Sequence, residues 1–288
     1  MMLYALTPSH VGSGDNLSYI DMPIQRERYT NFPKIEASSL KGSIRYAMEQ
    51  KCESLTCQLL GNKNDGEVAS VVSVSDAKIL FFPVKSAKGI FAWVTCPMVM
   101  KRFQQDCNLM EIAEFAKLDN FDESKIATEE SLLLIGDNEV MLEEMVFNAT
   151  QDAEFENWID NVVRYFPQNE ALIEKDSFKQ RVIMISDDRF EHFVTQSTEV
   201  VTRIKIGENG VVEGGALFTE EHLPAESVLY SLLFFSDERK EDGMPAKSVA
   251  KEMRILLENN LLQIGGNTTL GQGLFRIKFG GQEDESTT

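Results

Sequence analysis

The stretch SYIDMPIQRERYTNFPKIEASSLKG, residues 18–42, places a lone carboxylate, Asp21, shortly before two cations, Arg26 and Arg28. A carboxylate in such company can hold a metal ion, accept a proton or form an ion pair. On residue types alone the ion pair is favoured, because such networks are common. His10 lies in the same stretch of chain, whereas His192 and His222 are distant. His222 directly follows Glu220 and Glu221. That pair suits proton transfer or metal ligation, or equally a solvated hairpin tip. There is no Ser/His/Asp or Cys/His pattern, so cleavage through a protein nucleophile has little support.

The segment GGNTTLGQG supplies Gly265, Gly266, Gly271 and Gly273. No Lys-Ser/Thr follows it, and a strand pattern comes next, which excludes a triphosphate loop and disfavours a dinucleotide loop. Glycines allow backbone amides to approach a phosphate, or simply allow a tight turn with positive φ; spacing alone favours the turn. Lys41 and Arg45 share a helical face with Lys34 and Tyr46 nearby. Such a stripe either follows a phosphate backbone or is a solvated face, with nothing to separate the two.

The charge distribution decides whether a polyanion is a plausible ligand. Net charge is -18, which taken alone opposes nucleic acid. Residues 1–105 nevertheless balance at +3, and residues 106–160 hold 2 basic against 16 acidic side chains. The acidity is therefore segregated, and a polyanion could lie on one face. The 43% hydrophobic content can build one large core or two modest ones. Four cysteines without metal-ligand spacing read as reduced thiols, which suits a cytoplasmic protein. The first twenty residues lack a signal-peptide pattern, and no apolar run is long enough to span a membrane.

These residues must be held by a mixture of strands and helices in irregular order, hence an α+β sheet of mixed direction. MLYALTP reads as a strand, and SSLKGSIRYAMEQK as a helix capped by Ser38 or Ser39. The polar stretch between them, nearly thirty residues long, is unusual for a compact domain. Its interleaved Tyr19, Ile20, Ile24, Tyr29, Phe32 and Ile35 predict that it is ordered. Strands are expected in 68–95, a helix over 98–116, and a further helix at 152–165. RVIMIS reads as a strand, DDRFEHFVTQS as a short acidic-capped helix, SVLYSLLFFS as one buried strand, and PAKSVAKEMRILLENN as an amphipathic helix. Residues 200–226 predict a β-hairpin turning at Glu208-Asn209-Gly210, long enough to wedge between stacked bases or to form a sheet edge.

Taken in order, LTPSHVGSG, IDMPIQRERYTNFPKIEASSLKGSIR, VSVSDAKILFFPVKSAKGIFAWVTCP, GGALFTEEHLP and LQIGGNTTLGQGLFRI resemble the backbone subunit of the type III-B CRISPR Cmr effector, a member of the RAMP superfamily. The resemblance covers nearly the whole chain and is weakest over 106–190. It implies one domain over 1–288: a ferredoxin-like (RNA-recognition-motif-like) core with an acidic insertion at about 106–190 and a protruding thumb hairpin at about 200–226. It further implies a filament of copies along guide CRISPR RNA, with other Cmr subunits as partners and no membrane. Single-stranded target RNA would be cut at regular intervals, through its 2′-hydroxyl, with Mg²⁺ or another divalent cation. The essential carboxylate and metal ligand falls on Asp21, and His10, Glu220 and Glu221 match positions near the cut. Lys41 matches a guide-backbone contact, with Arg26, Arg28, Arg45 and the four loop glycines further candidates for RNA. The alternative is an architectural guide-binding subunit without turnover.

Overall fold

The computed structural model describes residues 1–15, 19–62, 69–112, 124–167, 170–207 and 209–281. The chain opens with strand β1 (Met2–Ala5) and, after a long excursion, β2 (Lys34–Ile35). Helices α1 (Ala37–Glu49) and α2 (Glu53–Leu60) follow, then strands β3 (Val72–Val74), β4 (Ala77–Lys85) and β5 (Phe91–Thr95). Helix α3 (Pro97–Leu109) precedes β6 (Ser124–Ile126), β7 (Glu139–Leu142) and β8 (Met145–Gln151). Next come α4 (Ala153–Val162), α5 (Lys175–Lys179), β9 (Val182–Met184) and α6 (Asp187–Gln196). Strands β10 (Glu199–Ile206) and β11 (Val212–His222) form a hairpin. The chain then runs through β12 (Val228–Tyr230), β13 (Leu233–Phe235), α7 (Ala246–Leu257), β14 (Leu261–Gln263) and β15 (Leu274–Lys278).

This is a mixed α+β fold built on one large sheet, ordered β14-β15-β1-β12-β4-β5-β9-β6-β8-β7, with β2 paired to β4. Ladders from β14 to β5 are all antiparallel, whereas β5–β9 and β6–β8 are parallel. Residues 106–190 thus supply β6 to β9 and extend the sheet beyond β5; residues 113–123 of that acidic stretch, and residues 282–288, lie outside the described residues. β1 and β9 are apolar on both faces and fully buried, as a central strand covered by helices requires. Phe81, Trp93, Trp158 and Phe178 fill the core, with Phe178 packed edge-on to Phe81 at 4.9 Å. All four cysteine thiols are free, and among the described residues no helix is long and apolar enough to cross a membrane.

Two expectations are corrected. Helix α1 begins at Ala37, so neither Ser38 nor Ser39 caps it, and Glu36 at the N-cap makes no side-chain cap bond. The cap comes from far away: Asp76 Oδ1 accepts the Ala37 amide at 2.8 Å, a tertiary contact invisible to local pattern. SVLYSLLFFS is two strands in two sheets, because after β12 the chain leaves the large sheet and β13 pairs with β3. The hairpin fold of 199–222 and the helices α4 and α7 match expectation, and the long polar stretch is ordered over its described part. Helix α3 ends at Leu109, short of the expected 116, and α6 has Ser186 at its N-cap with no side-chain cap bond in place of an acidic cap.

Candidate functional site

β11 emerges from the hairpin and its successive side chains alternate between two faces. Its last residues, Thr219 to His222, therefore bond to two different parts of the chain. The 19–26 segment runs alongside as an added strip: Met22 bridges Glu220 in parallel, with Met22 N donating to Thr219 O and Glu221 N donating to Met22 O, each at 3.0 Å. This stitching brings Asp21 to Thr219. Asp21 Oδ2 accepts from the Thr219 amide at 2.7 Å and from its hydroxyl at 2.9 Å, and the Asp21 amide donates to Thr219 Oγ1 at 3.0 Å. Asp21 is exposed, so this grip positions the carboxylate without burying it. The Thr219 amide, then its hydroxyl, hold the Asp21 pKa below the ordinary carboxylate range. Asp21 is thus an ionised, oriented, solvent-facing carboxylate at neutral pH.

The ion pair that residue types favoured for Asp21 does not form. Arg26 turns instead to Glu221, Nη2 to Oε1 at 2.5 Å, while its Nη1 donates to the carbonyls of Asn31 and Val194. Glu221 is buried, with a side chain only 2% exposed. It also accepts from Thr198 Oγ1 at 2.8 Å and from the Ile24 amide at 3.0 Å. The bonds of Glu221 to Arg26 and to the Ile24 amide tie the strip to the hairpin base. Arg28 is exposed.

On the opposite face of β11, Glu220 and His222 point under the glycine-rich loop. Asn267 Nδ2 donates to both Glu220 oxygens at 3.0 and 2.9 Å, and Arg203 Nε to Oε2 at 3.1 Å. His10 Nε2 lies 3.7 Å and His222 Nε2 3.4 Å from the same carboxylate. Burial opposes ionisation of Glu220, but the bonds from Asn267 and Arg203 prevail and its pKa is lowered. His10 Nδ1 meets the Glu221 carbonyl at 2.7 Å, so His10 bridges the two faces. Glu220-Glu221-His222 is consequently a buried junction and not a solvated hairpin tip.

His222 is fully enclosed, and its pKa is lowered chiefly by desolvation. A histidine with a depressed folded pKa stabilises the fold above its unfolded pKa, and that contribution is lost as pH falls. Below about pH 6.5, stability of the wild-type protein relative to His222→Gln should therefore drop progressively. Thermal unfolding of both proteins across pH 5 to 8 measures this; a constant difference would mean that His222 does not titrate on unfolding.

The glycine loop closes over this junction. Gly266 N donates to His10 O and Gly273 N to Pro8 O, both at 2.9 Å. Gly265 (φ +91) would place a Cβ 2.4 Å from His10 O, and Gly273 (φ +76) one 2.2 Å from Ile264 O. Both positions require glycine for conformation and for space. Gly271 (φ +72) faces open space, and Gly266 has only ordinary contacts. Alanine at 265 or 273 should cost ~3 kcal/mol or more, at 271 about 1 kcal/mol, and at 266 close to nothing. Thermal unfolding of the four variants tests that order.

The α1 cations are more engaged than a solvated stripe. Arg45 donates to the carbonyls of Leu60 and Gly61 at 2.6 and 3.0 Å, Lys41 to Ser70 Oγ and Val72 O, and Lys34 pairs with Asp76 at 2.9 Å. Asp21, His10, Glu220 and Glu221 are gathered at the hairpin base, whereas Lys41 and Arg45 lie against Leu60, Gly61, Ser70 and Val72. Sequence reasoning missed Thr219, Arg203 and Asn267, the residues that hold Asp21 and Glu220 in place. Only adjacency to Glu220 could have marked Thr219.

Among the described residues, no three His, Cys, Asp or Glu side chains converge as a metal site. Glu220 and Glu221 are already committed to amide, guanidinium and hydroxyl donors. Of the predicted site carboxylates only Asp21 faces solvent, so it alone of them could hold a divalent cation, leaving most of the shell to other oxygen donors.

The RAMP superfamily model matches residues 2–276. The chain is 38% identical to the CRISPR system Cmr endoribonuclease Cmr4 of Pyrococcus furiosus, over 96% of this chain and 93% of that protein. The crystal structure of oligomeric Cmr4 from Pyrococcus furiosus superposes with a TM-score of 0.74 at 34% identity, covering 96% of this chain and 95% of the other. A chain of the type III-B Cmr-beta complex bound to cognate target RNA also gives a TM-score of 0.74, covering 96% and 95%; at 20% identity this is a likeness of fold.

Proposed function

The chain belongs to the RAMP superfamily, and from that membership we propose that it is the repeating, RNA-cutting subunit of a type III-B CRISPR effector, binding guide RNA and cleaving complementary target RNA at regular intervals. The observation that carries the reading is the exposed Asp21 carboxylate, gripped by Thr219 at the base of the β10–β11 hairpin in a chain 38% identical to an endoribonuclease.

The order β15-β1-β12-β4, all antiparallel, supports a ferredoxin-like core, with α1 between β1 and β4 and α7 between β12 and β15. The β10–β11 hairpin, which pairs with no other sheet, serves as the thumb. Inserted into a guide–target duplex, it would unstack bases and free one ribose and phosphate from A-form geometry. The 2′-oxygen can then line up with the departing 5′-oxygen, which closes a 2′,3′-cyclic phosphate and leaves a 5′-hydroxyl.

Asp21 is a poor proton acceptor because its pKa is lowered, so its contribution is negative charge in a fixed place. It orients the 2′-hydroxyl and would hold a divalent cation, whose charge would stabilise the negative charge that develops in the reaction. Glu220, buried with His10 and His222 under the glycine loop, keeps the hairpin base and that loop in register. Backbone contacts without base readout suit a subunit that must accept any guide. Regularly spaced cuts in a guide-complementary RNA, present with Mg²⁺ and absent with EDTA, are the expected assay result. Assembly on guide RNA with uncut target under all divalent cations would leave only the architectural role.

A further inference from the structure

Tyr29 is 79% exposed, yet its ring is fixed. The Arg102 guanidinium carbon sits over it, 5.4 Å from the centroid, and Arg102 Nη2 donates to Tyr29 Oη at 2.8 Å. Arg102 is itself gripped by both Glu27 oxygens, at 2.9 and 3.2 Å, and lies 5.7 Å over Phe32. Phe32 is buried and packs edge-on to Phe190 at 4.9 Å. The turn that carries Tyr29 is closed by Glu27 N donating to Phe32 O at 2.9 Å and Asn31 N donating to Glu27 O at 3.0 Å. None of these contacts serves Asp21 or the Glu220 junction.

We propose that Tyr29, backed by Arg102, is a stacking platform for a nucleobase of single-stranded RNA. This rests on the RNA-binding reading above. A large exposed aromatic has no stabilising burial to explain it, whereas here one ring face is taken by a cation and the rest is open. Anchoring by Arg102 removes the ring freedom that stacking would otherwise cost. Arg28, the preceding residue, is exposed and adds a cation where a phosphate would pass. Base stacking tolerates any sequence because every base has a π-face, as a subunit working with arbitrary guides needs. A second copy of this chain could also cover the ring; the adjacent exposed cation, Arg28, favours RNA.

The full chain is titrated with labelled oligouridine over a range of salt concentrations. Tyr29→Ala should weaken binding about tenfold or more, and Tyr29→Phe, which keeps the ring, by no more than about threefold. The dependence of log affinity on log salt should keep its slope, since stacking releases no counterions. Oligouridine carrying 5-iodouridine should photocross-link at Tyr29. Undiminished binding by Tyr29→Ala overturns the platform and leaves the RNA-binding reading intact. Loss of self-association by Tyr29→Ala in sedimentation velocity without RNA assigns the ring to a contact between copies and also overturns it. Wild-type protein that binds no oligouridine overturns both.

Discussion

Asp21→Asn should stop target RNA cleavage while leaving the fold, assembly on guide RNA and target binding unchanged. The substitution is nearly isosteric, and the asparagine carbonyl can still accept the amide and hydroxyl of Thr219 that now hold Oδ2. What disappears is the negative charge. Positioned charge of this kind is worth about a hundredfold or more in rate. Single-turnover cleavage of labelled target by assembled complexes measures the loss, and an electrophoretic shift confirms that target still binds. The pH dependence gives a second check. Because Thr219 lowers the Asp21 pKa, Asp21 stays ionised below the ordinary carboxylate range. Activity lost on acidification between pH 7 and 5 must then come from another group. Cleavage by Asp21→Asn at the wild-type rate would make Asp21 an anchor of the strip and nothing more.

The elements that carry their own periodicity were legible in the sequence. Leu40, Ile44 and Met48 mark the buried face of α1, and alternation with a turn marks the hairpin. The failures share one cause, which is that the deciding partner lies far away in the chain. Asp76 caps α1 from 39 residues downstream. Thr219, 198 residues from Asp21, replaces the neighbouring arginines as its partner. Local charge spacing had paired Asp21 with Arg26, but Arg26 gains more from Glu221, where little water competes. A solvated Asp21 offers it only a weak surface pair.

The glycine loop illustrates the other limit. Its spacing predicted positive φ, and Gly265, Gly271 and Gly273 adopt it. Spacing could not reveal that Gly265 presses on the His10 carbonyl or that Asn267, itself left-handed, reaches into the Glu220 junction. The loop and the carboxylates are thus one assembly, which neither motif discloses by itself. Family resemblance supplied the roles of these residues; geometry divides them into an exposed carboxylate and a buried framework.

That division makes Glu221 the most informative contrast to Asp21. Glu221→Ala removes the carboxylate paired with the Arg26 guanidinium and leaves the Ile24 amide and Thr198 hydroxyl without this acceptor. Breaking one side of a buried pair costs about 3–5 kcal/mol, since the other charge remains desolvated. For a chain of this size the melting temperature should fall by roughly 10 °C. Glu221→Gln keeps an acceptor for the amide and hydroxyl and should fall by less. Arg26→Ala combined with Glu221→Ala should cost less than the sum of the two, because the double variant strands no charge. Well below its melting temperature, Glu221→Gln should still cut RNA at a rate near wild type, opposite to Asp21→Asn. A Glu221→Gln protein that melts normally but does not cut would instead place this carboxylate in the chemistry. Stability and turnover should therefore separate along β11: Thr219 presents the charge proposed to act, and Glu221, two residues on, fixes the strip that brings it there.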